Sequence, residues 1–156
     1  MDGKMRPKPG AVVEIKLPNG KYAYGRVYAD AGIGIYRNLS IRPGEPPIGS
    51  RDFLFNVGVY EDVLTSGKCP VVGQDPFPNG EDEWPSPHCI IDPISGECSI
   101  YHRGKITPAL PEECEGLEIA AVWDLDHIID RTLNGNDSRY LQSLREGMRQ
   151  RRSPVQ

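Results

Sequence analysis

Several signals are missing from this chain, and each absence removes a class of function. No apolar run approaches the roughly 20 residues that a membrane-spanning helix needs, so no membrane role is expected. The opening MDGKMRPKPG has basic residues but no apolar segment behind them, which is not a secretory pattern, and the expected location is the cytoplasm. Cysteines 69, 89, 98 and 114 are separated by 19, 8 and 15 residues, so there is no CxxC pair of the kind a zinc knuckle uses. His88 beside Cys89, with His102 four past Cys98, leaves one scattered His/Cys set to check; buried reduced thiols are the expectation. No G-x-S-x-G elbow is present, and the glycines of DAGIGIYRN lack both the G-x-G-x-x-G spacing and a following Lys-Ser/Thr. No cofactor is expected.

What is present is an uneven charge. The 156 residues carry a net −4, but residues 1–68 hold +3, residues 69–138 hold −11 and residues 139–156 hold +4. An acidic middle argues against nucleic acid as ligand, because binding phosphates needs cationic surface. It suits a basic protein, whose encounter it would accelerate by long-range steering. Gly 17 and Pro 15 favour many short elements over long helices.

The hydrophobic pattern begins with period two. AVVEIKL (11–17) reads as a half-buried strand, and Asn19-Gly20 suits a tight turn. KYAYGRVYA (21–29) alternates Tyr22, Tyr24, Arg26 and Tyr28 against Ala23, Gly25 and Val27, completing a hairpin with one aromatic face. GIGIYRNL (32–39) reads as a third strand. FLFNVGVYEDVL (53–64) reads as the central strand, with Phe53, Phe55, Val57 and Val59 on one face. CPVVGQ (69–74) suits an edge, RPGEPPIGS (42–50) and DPFPNGEDEWPSP (75–87) are loops, and CIIDP with CSIYHRGKITPA suggests another hairpin around ISGE.

After Pro111 the period changes. Acids follow Pro111 where a helix dipole favours them, and Gly116 interrupts that turn. Apolar residues at 119, 122, 123, 125, 128 and 129 fit helical spacing better than alternation, with IAAVW open as a strand. Asp124 is a candidate N-cap and Gly135 a stop. SRYLQSLREGMRQRR (138–152) puts Tyr140, Leu141, Leu144 and Met148 on one stripe of an amphipathic helix, and RQRRSPVQ reads as its solubilising end. The expectation is one α+β domain over 1–156: a β-rich body at 8–110, an acidic segment and helix at 111–135 and a C-terminal helix at 138–152. Its sheet is small, mainly antiparallel and curved, or a partly open SH3-like barrel.

Chemistry would have to come from DLDHIID. Asp126, His127 and Asp130 share a helix face, so a metal-dependent hydrolase or lyase is one reading. No second ligand set and no Glu-x-x-His pair supports it, and Ile128 and Ile129 bury the same helix, leaving the acids to water. A regulatory module that binds a peptide on the aromatic strand face is another reading. No active site is composed, and a non-enzymatic binding protein is the stronger expectation.

Four stretches also resemble a known family. KPGAVVEIKLPNGKYAYGRV is similar to the opening hairpin of the bacterial immunity protein 26 family, and IGIY to its third strand. FLFNVGVYEDVLTSGKCPVVGQDPF resembles its central strand with the glycine-spaced segment behind it. TPALPEECEGLEIAAVWDLDHIIDR resembles its C-terminal signature, so the likeness runs over about residues 8–131. It implies a small β-rich fold, no enzymatic activity and one cognate toxin of a polymorphic toxin system as partner. On that reading the acids serve to bind a toxin, with a basic nuclease as one candidate, and the candidate contacts are Glu112, Glu113, Glu115, Glu118, Asp124, Asp126 and Asp130. Glu81, Asp82, Glu83 and Trp84 on the loop join them, with Tyr22, Tyr24 and Tyr28 as aromatic anchors; Trp123 is expected in the core.

Overall fold

The computed structural model describes residues 6–92 and 94–152, with side chains through Gly147. The first five residues, Pro93 and residues 153–156 lie outside what is described, as do the side chains of Met148 in the expected stripe and of residues 149–152 in RQRRSPVQ. Among the described residues there are ten strands and four α-helices.

The hairpin at the start forms where the sequence places it. β1 (Ala11–Lys16) pairs antiparallel with β2 (Tyr22–Val27), and Gly20 turns between them at φ 86°, a left-handed conformation that glycine adopts without steric cost. β3 (Gly32–Tyr36) and β4 (Phe53–Val59) follow antiparallel, then α1 (Glu61–Thr65) and β5 (Val71–Gln74). The first sheet has the order β10-β4-β3-β2-β1-β5. FLFNVGVYEDVL is thus not one central strand. It ends at Val59, turns into α1, and lies one place from the sheet edge, while β2 and β3 hold the middle.

The second sheet is smaller, in the order β8-β7-β6-β9. β6 (His88–Ile91) and β7 (Cys98–His102) form the hairpin expected around ISGE. CSIYHRGKITPA contains a further hairpin, β7 with β8 (Lys105–Ala109), because Arg103 and Gly104 both take positive φ, as a two-residue hairpin turn requires. α2 (Pro111–Cys114) is one turn, ended ahead of Gly116 at φ 80°.

The largest departure from the helical reading is at Glu118–Trp123. These residues form β9 (Glu118–Ile119) and β10 (Val122–Trp123), two short strands that pair parallel with β6 and with β4. The chain leaves one sheet and enters the other within six residues. Helix α3 (Leu125–Asn134) begins only after Asp124, whose side chain accepts the Leu125 N–H at 2.9 Å, and it stops at Gly135. α4 (Arg139–Arg152) follows a 3-10 turn.

One face of the first sheet holds the main core, where Val13, Ile15, Ile33, Ile35, Val57 and Trp123 meet Ile128 of α3 and Leu141 of α4. Gly25 is required there: a Cβ on it would lie 2.4 Å from the Ile33 side chain. The opposite face is also covered, around Val12, Tyr24 and Tyr36. Cys89, Ile91, Cys98 and Cys114 make a separate small core under the second sheet. The fold is α+β and mainly antiparallel, as expected, with two sheets that do not close into a barrel.

Candidate functional site

Arg26 sits mid-strand between small and aromatic residues, and its whole side chain is buried. A buried guanidinium needs acceptors for its donors. Its Nε donates to the Asp75 carbonyl at 2.8 Å, and Nη2 donates to the Pro76 carbonyl at 2.7 Å. Nη1 and Nη2 both donate to the Glu81 carboxylate at 3.0 Å, a bidentate pair. The Phe77 ring lies 3.7 Å from its Cζ. Burial works against the charge of Arg26, but the Glu81 and Asp75 carboxylates outweigh it and raise its pKa.

Asp75 completes the network. It is buried and accepts the Tyr36 hydroxyl at 2.5 Å, the Gly49 N–H at 3.1 Å and Nη1 of Arg51 at 3.1 Å. Burial opposes its ionisation, yet these donors and the two guanidinium groups hold its carboxyl below the usual range. Hydrogen bonds from Arg26, with help from Arg51, hold Glu81 down to about 2 despite some desolvation. Burial and the Asp75 bond push the Tyr36 phenol well up. These five side chains pin the Pro/Gly loop at 42–50 and the acidic loop at 75–87 onto the first sheet.

That covering corrects the aromatic-face reading. Tyr24 is 0% exposed, with its hydroxyl bonded to Glu14 at 3.0 Å and accepting the Glu45 N–H at 3.1 Å. It cannot anchor a partner, because the 40–52 loop lies over it. Tyr22 and Tyr28 are half-buried. That strand face therefore exposes its aromatic rings only in part, at Tyr22 and Tyr28.

The acids divide in two. Glu81 belongs to the network, and Glu118 holds Arg131 by two bonds of 2.9 and 2.7 Å, tying β9 to α3 while Arg131 lies over the Phe55 and Trp123 rings. Asp130 accepts the Asn134 amide at 2.6 Å and the Arg139 N–H at 2.9 Å; the latter, then the former, lowers its pKa. Glu113 accepts the Leu110 N–H at 2.8 Å, and Asp124 caps α3. Asp82 meets Arg103 at 2.5 Å and accepts the Trp84 N–H at 2.9 Å, fixing the loop on which Trp84 is half-buried. Glu83, Glu112, Glu115 and Asp126 are exposed.

Asp126, His127 and Asp130 do not converge on a ligand. The His127 ring stacks on Tyr140 with centroids 4.2 Å apart and planes 8° apart, while the Asp130 oxygens hold the corner between α3 and α4. Among the described residues no three His, Cys, Asp or Glu side chains gather as a metal site would need. All four cysteines are buried without a disulfide, and burial pushes the Cys69 thiol up to about 11. Among the same residues no helix is long and apolar enough to cross a membrane.

Sequence reasoning missed the Arg26 hub. The available signal was an arginine set between Gly25 and Val27 in a strand, where burial on both faces would demand carboxylates from elsewhere.

No curated protein and no solved structure matches the chain. The model of one protein family, immunity protein 26, matches residues 8–99, from ahead of β1 to the start of β7. That stretch holds the opening hairpin, the whole Arg26 network and the acidic loop, and stops short of the 111–131 segment. By a match over more than half of its length, the chain belongs to the immunity protein 26 family, which implies an immunity role and a toxin as partner.

Proposed function

We propose that this protein neutralises a cognate bacterial toxin in the cytoplasm by direct stoichiometric binding, without catalysis. Family membership supports the class. The observation that carries the mechanism is the concentration of −11 in residues 69–138, with Glu83, Glu112, Glu115 and Asp126 exposed instead of consumed inside the fold. A basic toxin, for which a nuclease is the natural chemistry, would be steered to this surface and its phosphate-binding cleft covered. Glu81, Glu118 and Asp130 serve by holding the surface in shape.

The test is rescue. Co-expression with the toxin domain encoded beside this chain's gene should restore growth, and the purified pair should form a one-to-one complex. Reversing Glu83, Glu112, Glu115 and Asp126 to Lys should slow association and abolish rescue at unchanged melting temperature. Intact rescue by that folded variant would remove the acids from the interface, and no rescue by the unaltered chain would remove the function.

A further inference from the structure

Where the two sheets meet, the short β9 and β10 strands leave a cleft of about 490 Å³, a size within the range of ligand pockets. Val59, Pro85, Ile90, Ala121 and Val122 wall it. His88 also lines it, but both ring nitrogens lie against backbone carbonyls, Ser86 at 2.6 Å and Asn56 at 3.1 Å. The ring therefore offers carbon to the cleft. No Lys or Arg is among the lining residues.

The rim is rigid at some cost. Asp30 and Ala31, both lining or bordering the cleft, take φ of 60° and 53°, the left-handed region that non-glycine residues rarely occupy. Such strain persists only where surrounding contacts impose it, and it concentrates at functional positions. Three ties impose it here. The Ala29 N–H donates to the Glu83 carbonyl at 2.8 Å, the Val59 N–H donates to the Ala31 carbonyl at 2.9 Å, and the Tyr101 hydroxyl from the second sheet donates to the Asp30 carboxylate. The turn is thus fixed to the acidic loop, to β4 and to β7, and it sets an exposed carboxylate at the mouth of an apolar cleft.

The apolar surface does not end at the mouth. Val122 is 44% exposed, and Tyr60, which follows Val59 and donates its N–H to Trp123, is 52% exposed. A small molecule would fill the cleft and leave Tyr60 in water, whereas a protein surface would cover the cleft, Val122 and Tyr60 together. The charges decide what kind of protein surface: Asp30, Glu83 next to its turn, and Asp62 beyond Tyr60 are exposed carboxylates.

We propose that this inter-sheet cleft is the anchor site for the toxin and receives one large apolar side chain flanked by Lys or Arg. The identity of the partner rests on the immunity reading above; the cleft and its rim do not. The steering acids bring the two proteins together, and the cleft slows their separation.

The probe is the inactivated toxin domain encoded beside this chain's gene, titrated against the full chain by calorimetry. Val122→Arg should weaken binding at least about 30-fold, as loss of a buried anchor does. Asp30→Lys should weaken it about tenfold, with the loss shrinking as salt is raised. Ile94→Asp, at the exposed tip between β6 and β7, should stay within twofold of the unaltered chain. If Val122→Arg lowers the melting temperature, Tyr60→Ala, which removes an exposed ring beside the mouth and breaks none of the ties of the turn, should weaken binding about tenfold and decides. Tight binding by the unaltered chain with the folded variants all within threefold overturns the anchor site while leaving the immunity function standing. No binding by the unaltered chain overturns both.

Discussion

The two sheets bury themselves by different means. The first is covered on both faces, by helices on one side and by two loops on the other, and its loop side is held by ionised groups. The second has a small core of three cysteines and an isoleucine, one turn of helix over it, and an edge strand, β8, that is exposed along almost its whole length. Cooperative rigidity follows the first arrangement, since groups buried on two sides must be released together. The second sheet depends on its attachments: the β9–β10 crossing, the Tyr101–Asp30 bond and the Glu118–Arg131 pair. The two-sided sheet maintains the fold, and the seam between the sheets leaves an unfilled apolar space.

The strongest way to break this contrast is Arg26→Met. It leaves Asp75 and Glu81 without their buried partner, and removing one member of such a pair costs about 3–5 kcal/mol. Urea unfolding should show that loss with both sheets unfolding in one transition; a loss under about 1 kcal/mol would mean the loops do not depend on the network. Acid should reach the same network from the other side. Asp75 and Glu81 have folded pKa values below their unfolded ones, Glu81 at about 2. Below the ordinary carboxylate range the unfolded chain therefore binds more protons, so their contribution is complete above that range and fades as pH falls toward 2. Urea midpoints measured from pH 6 to pH 3 should fall steeply for the unaltered chain and less steeply for Arg26→Met.

A paired truncation measures the cores directly. Ile33→Ala, fully buried against Gly25 in the middle of the first sheet, should cost about 4 kcal/mol, near the upper part of the range for such changes. Ile91→Ala, in the small core beneath a single helical turn that can settle inward, should cost about 2 kcal/mol. Equal losses in equilibrium unfolding would abolish the distinction. The smallest effect belongs to the seam: Ala31→Gly should raise stability by about 0.5–1 kcal/mol, because glycine accepts φ of 53° without a Cβ penalty. A destabilised variant would show that the turn is not strained.

The elements legible in the sequence are those whose causes are local. Asn19-Gly20 between two alternating runs specified the hairpin, Asp124 and Gly135 bounded α3, and proline density marked both loops. The illegible ones depend on distant partners. IAAVW carries apolar residues at helical spacing, and only the open edges of β4 and β6, some 30 to 65 positions earlier, draw it into two short strands. Tyr24 alternates like a surface aromatic, and nothing near it announces the 40–52 loop that covers it.

The sequence alone determined an acidic, mainly antiparallel α+β chain, and it carried the likeness to its family in the order of its strands. Tertiary structure decided which acids support the fold and which face outward, because a carboxylate's role depends on the cation beside it. Glu81 and Glu83 are two residues apart, yet one is bound to a buried arginine and the other is exposed.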